Sequence, residues 1–269
     1  MGLFGLGDYS KSGPGIDKNV PEKRRFFQFF DLLFEKFGKL ALANLLFAVC
    51  VIICALIFWG LYLLTDEIYI ALAAFIPIMI PVCALSKLTK KIACDEPVFV
   101  FSDFMDALAD NWKQGLLIGL VDFPFVVVFS MLFSYFAKIF STNPLFMASC
   151  SFSVIIVLYF CFMQIHLPLF ASTFELGFID LLKNSAIFSI INLKSNFLTV
   201  IIGAVMTFLT LLSFELIETP IYSGIAVVVW VVIGFALLSF IANFSSWPKV
   251  YELLVAPSEE DEEADGEEE

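Results

Sequence analysis

Six apolar blocks decide what this chain can fold into: residues 40–64, 68–85, 115–137, 145–171, 197–213 and 221–244. They run from 17 to 27 residues, about the length a helix needs to cross about 30 Å of hydrocarbon. The rest of the inventory offers no alternative. Hydrophobic residues make up 60% and charged residues 16% of the 269, against about half and about a quarter in an ordinary soluble domain. Phe occurs 33 times, and it is among the residues that favour helix insertion. Because every backbone N–H and C=O in lipid must be satisfied within the chain, the expected fold class is all-α: a polytopic membrane bundle of about six transmembrane helices in three hairpins, with amphipathic cytoplasmic helices.

The division expected from this pattern is an N-terminal cytoplasmic arm over 1–39, a six-helix membrane domain over 40–247 and a disordered acidic tail over 248–269. The net charge of -12 says little about partners, because nine of the 27 acidic residues lie in 259–269 and leave about -3 elsewhere. A like-charge block without aromatics reads as a solvated tail. Fourteen of the 15 Lys and Arg fall on one side of the expected spans, with Lys138 alone on the other. The positive-inside rule then puts both termini in the cytoplasm. Trp59 and Tyr62 at one end, and Trp112 and Trp247 at the other, suit interfacial belts. No cleaved signal peptide is expected, since about 39 polar and basic residues precede an apolar run long enough to span.

An amphipathic segment ending in Lys precedes each expected hairpin: 26–39, 101–113 and 174–194, a weak internal repeat. The first interleaves Phe27, Phe30, Leu33, Phe34 and Phe37 with charged residues. It is expected to lie along the cytoplasmic membrane face, with Lys23, Arg24, Arg25, Lys36 and Lys39 contacting anionic lipid headgroups rather than nucleic acid.

Chemistry has few footholds. Cys50, Cys54, Cys83, Cys94, Cys150 and Cys161 have no His or Cys nearby at metal-ligand spacing, and five of the six lie in apolar stretches. They read as small hydrophobes. With a single His, no Gly-rich phosphate loop and no Ser or Cys beside a plausible base, the chain is expected to be no enzyme and to need no metal or cofactor.

Several short motifs carry a family likeness. Gly2-Leu3-Phe4, Gly13-Pro14-Gly15, Pro21 with Lys23-Arg24-Arg25, Ser102-Asp103-Phe104 running to Asn111-Trp112-Lys113-Gln114, and more weakly Leu182-Lys183-Asn184 stand in order along the chain. In these the sequence resembles the YesL-like family of bacterial membrane proteins, a domain of unknown function, over the stretch up to about Lys249. The resemblance implies the cytoplasmic membrane of a bacterium, commonly a Gram-positive one, and a link to carbohydrate uptake, since some members are encoded beside carbohydrate importers and glycan-degrading enzymes. It carries over no active residue, and the acidic tail is longer than the family's.

Ionisable groups within a bilayer usually have a job or a partner. Asp122 lies nine residues into its span from Lys113, and His166, on an antiparallel span, comes from the same leaflet at nearly the same depth, with Gln164 close by. Asn44 and Asn243 enter from that side too. Together these five are expected either to line an inward-facing polar pocket, Asp122 being its cation or proton site and His166 a titrating neighbour, or to form a structural cluster joining helices. The first function expected is therefore a non-enzymatic accessory or scaffold component of a membrane transporter complex. The alternative is a small-solute or ion transporter centred on Asp122.

Overall fold

The protein was analysed as a computed structural model, which describes residues 24–138, 143–215 and 220–257. The described residues form helices and no strand, and six helical stretches are long and apolar enough to cross a membrane. The chain is an all-α, multi-pass membrane bundle.

Helix α1 (Arg25–Glu35) is followed at Lys36 by α2 (Phe37–Thr65), the first span. The expected single amphipathic segment is thus divided, and the Lys36 ammonium is held between Glu35 (2.7 Å) and Asp95 (3.1 Å). Asp66 ends α2 in the left-handed region, φ 54°. Asp tolerates that conformation better than most residues, which lets the chain reverse into α3 (Ile68–Leu72) within two residues. A 3₁₀ segment, Ala73–Ile78, containing Pro77, joins α3 to α4 (Met79–Ala93), completing the second span. Pro77 has no N–H to donate, so the tighter turn falls where a helical bond would be missing anyway.

The third span belongs to α5 (Val100–Lys138), whose 39 residues exceed the thickness of a bilayer. The amphipathic segment 101–113 is its first three turns rather than a separate helix. Helix α6 (Pro144–Thr173) returns, capped by Asn143, whose side chain accepts from the Leu145 N–H at 2.9 Å. A short helix, α7 (Phe178–Ile191), packs on α6 before α8 (Leu193–Glu215). The last span contains α9 (Pro220–Val229), a π segment Trp230–Gly234, and α10 (Phe235–Val250), continued by a second π segment Tyr251–Val255. Helical structure therefore runs past residue 247, the boundary expected for the tail; residues 258–269, with the acidic run, lie outside the described residues.

Packing is concentrated at one end. Leu40, Leu88, Ile92, Phe104 and Phe240 form one buried cluster, and Leu167, Phe170, Leu181, Phe188 and Val250 another. Both lie toward the end where Lys36, Lys90, Lys113, Lys194 and Lys249 gather, the basic end. Toward the other end the helices separate: in α6 only 6% of the most apolar stretch is buried, against 33% in each of the first two spans.

Candidate functional site

Two neighbouring helices bring Asp122 and Gln164 together. Gln164 Nε2 donates to Asp122 Oδ1 at 2.8 Å, joining α5 to α6. Asp122 is half-buried, and its second oxygen accepts no hydrogen bond among the described residues. It borders an open cleft of about 470 Å³ with Phe125 of α5, Tyr159 and Met163 of α6, and Lys183 of α7. The Tyr159 hydroxyl donates to the Ala186 carbonyl at 3.0 Å and fixes α7 across that cleft.

His166 turns away from this pair. Fully buried between the Phe170 and Phe188 rings, it places Nε2 3.0 Å from Asn196 Oδ1, while Asn196 Nδ2 donates to the Ser189 carbonyl at 3.0 Å. With the amide oriented this way, Oδ1 must accept, so His166 carries a proton on Nε2. Its Nδ1 is buried without a partner among the described residues. His166 thus ties α6 to α8 and is no hydrogen-bonded neighbour of Asp122.

The two asparagines take up still other positions. Asn44, fully buried on α2, donates to the carbonyls of Trp230 (2.8 Å) and Val231 (2.6 Å) and accepts from the Ala236 N–H (2.8 Å). These are groups displaced from regular pairing by the π segment, so one side chain satisfies both edges of the irregularity. Asn243 on α10 donates to the Ser86 carbonyl (2.9 Å) and Thr89 Oγ1 (2.8 Å) of α4, and Thr89 meets Ser239 at 2.7 Å. The single five-residue pocket is therefore corrected to an Asp122–Gln164 pair at a cleft and three separate helix-joining clusters. The reason is geometric: side chains at one depth on different helices point to different neighbours.

Among the residues expected to meet lipid, Lys23 lies outside the described residues. Lys36 is engaged with Glu35 and Asp95, hydrogen bonds that raise its pKa. Arg25 Nη2 donates to the Phe244 carbonyl at 2.7 Å, its charge lying 5.1 Å from the Phe244 ring centre. Burial lowers the Arg25 pKa, yet a guanidinium remains charged in such a setting. Neither Arg24 nor Arg25 forms an ion pair among the described residues, although Asp31, Glu35 and Asp95 line a polar cleft that Arg25 also borders. The lysines of α4 are paired: Lys87 meets Asp110 (3.2 Å), Lys90 Glu96 (2.8 Å) and Lys91 Asp103 (3.1 Å).

All six cysteines are free. Burial, with the nearby Glu96 charge, pushes the Cys94 thiol up to about 11 against the opposing pull of Lys90. Among the described residues no three His, Cys, Asp or Glu side chains group as metal ligands.

Two features escaped the sequence reading. Asn196, the partner of His166, lies one residue before the expected span 197–213 but inside α8. Gly115 and Gly119, spaced as small-xxx-small, let α5 approach the second span so closely that a Cβ on Gly119 would run into the Ile76 carbonyl. The Gly-xxx-Gly spacing itself was the available signal. No family model, curated protein or solved structure matches this chain, so the YesL-like resemblance rests on its short motifs alone.

Proposed function

We propose that this protein is a non-enzymatic accessory or scaffold component of a membrane transporter complex, with its basic end and both termini in the cytoplasm of a bacterial cell. The observation that supports it is how the polar groups within the spans are used. Asn44, Asn243, His166 and Asn196 hold helices together at the basic end instead of converging on a shared cavity. Meanwhile the α5–α6 hairpin leaves apolar faces uncovered, with Phe133 at 74% and Val154 at 62% exposure, and such faces accommodate partner helices as readily as lipid. The family resemblance suggests a carbohydrate importer as the assembly served, an argument from association.

Affinity purification from native membranes in mild detergent, with mass spectrometry of what stays bound, tests this. A stoichiometric transporter subunit in the eluate is expected; recovery of the protein alone would count against it.

A second reading has one specific observation in its favour. The second oxygen of the Asp122 carboxylate, which accepts no hydrogen bond among the described residues, lies at a cleft shared with Lys183, which would suit a small-solute or ion transporter. That reading predicts flux from the purified protein alone in liposomes, lost in Asp122→Asn.

A further inference from the structure

An apolar cleft of about 460 Å³ separates α1 from α8 and α10. Its walls come from Phe26, Phe29 and Phe30 on α1, Leu198 and Ile202 on α8, and Ile241 on α10, with Arg25 at its edge beside Phe244. Helix α1 reaches the bundle here through Phe29, which stacks on Phe240 at 5.2 Å and meets Phe244 edge-on at 5.4 Å. Leu32 and Leu33 pack on the same core, whereas Phe26 is 67% and Phe34 74% exposed.

We propose that this cleft binds one anionic phospholipid of the leaflet at the basic end, its phosphate on Arg25 and one acyl chain along the cleft. The Phe244 carbonyl and ring fix the guanidinium in place while engaging one of its five N–H donors. The others make no hydrogen bond or ion pair among the described residues, although Asp31, Glu35 and Asp95 line a second cleft on which Arg25 borders, whereas Lys36, Lys87, Lys90 and Lys91 are each paired. An apolar helix in the cleft would offer nothing to the unbonded donors at its edge. A free hydrated anion would leave the Phe, Leu and Ile walls without apolar cover. A phospholipid answers both, and Arg suits it because its planar fork matches two phosphate oxygens at once. Arg24, the preceding residue, adds a second cation that forms no ion pair among the described residues and favours a headgroup of net negative charge. The site is independent of the accessory reading, since a transporter would accommodate the same lipid.

Native mass spectrometry of the full chain, released from nanodiscs of mixed phosphatidylglycerol and phosphatidylcholine, tests the assignment. The wild type is expected to retain one phosphatidylglycerol. Arg25→Gln should reduce that occupancy roughly tenfold or more, the scale of losing a charge-assisted hydrogen bond, while Lys138→Gln, at the opposite end, keeps it. Ile202→Trp, which fills the cleft and leaves Arg25 in place, should also lose the lipid and carries the test if Arg25→Gln fails to fold. A phosphatidylglycerol with a photoreactive acyl chain should label peptides around Ile202 and Ile241. Equal retention in wild type, Arg25→Gln and Ile202→Trp would overturn the proposal. So would crosslinks placing the segment before Arg24, or a second copy of the chain, in the cleft.

Discussion

Asn44 is the side chain whose removal should be felt most. Asn44→Ala would leave two carbonyls and one N–H of the π region without partners in a buried site. Each such group costs about 1 to 3 kcal/mol in a protein interior, less where the membrane-unfolded state finds substitutes. A loss of about 2 kcal/mol or more is expected in reversible unfolding from lipid–detergent micelles, whereas Asn44→Ala at wild-type stability would mean that the π segment satisfies itself. Cys94 gives a chemical check at the same scale. A thiol pushed up to about 11 is almost wholly protonated at neutral pH, and the thiolate is the nucleophile. Maleimide labelling of a variant retaining only Cys94 should therefore be slow at pH 7 and accelerate until pH passes about 11; a rate already at its plateau by pH 9 would contradict the assignment. The candidate polar residues could be read from the sequence because polar side chains are conspicuous in apolar runs. Their partners could not: Asn44 binds carbonyls that are available only because the backbone of another helix slips into a π turn, and no side-chain pattern announces that.

Element positions were legible where hydropathy is steep and lost where an amphipathic segment fuses with a span. The turn at Asp66 and all six spans follow from apolar length, but 101–113 runs unbroken into α5, and the last helix passes residue 247 without interruption. Gly115 stands at the first junction and Pro248 at the second, yet the helix runs through both, so composition changes there while helical backbone continues. The α4–α5 contact rests instead on absent side chains. A Cβ on Gly115 would lie 2.7 Å from Ile80 Cα, and one on Gly119 would strike backbone at Ile76. Gly119→Ala should destabilise the bundle by about 1 to 3 kcal/mol, as overpacking does. Gly60→Ala, where a Cβ meets nothing within 4 Å, should be neutral or gain up to about 1 kcal/mol in helix propensity. Thermal unfolding of the two variants side by side checks this, and equal melting temperatures would show that α5 moves aside freely.

Over the whole molecule, a well-packed basic end carries hairpins that separate toward the far end, and the account rests on that asymmetry. Asp122→Asn keeps the size of the side chain and an oxygen able to accept from Gln164, so under the accessory reading it should leave abundance and partner recovery unchanged; a transporter would lose its flux. The most direct measurement is crosslinking in native membranes from a photoreactive residue at position 133 or 154, on the uncovered faces of α5 and α6. The account predicts one discrete protein adduct of constant partner mass from these positions, and none from position 118, which is fully buried. Lipid adducts alone, together with Asp122-dependent flux from the purified protein, would contradict it.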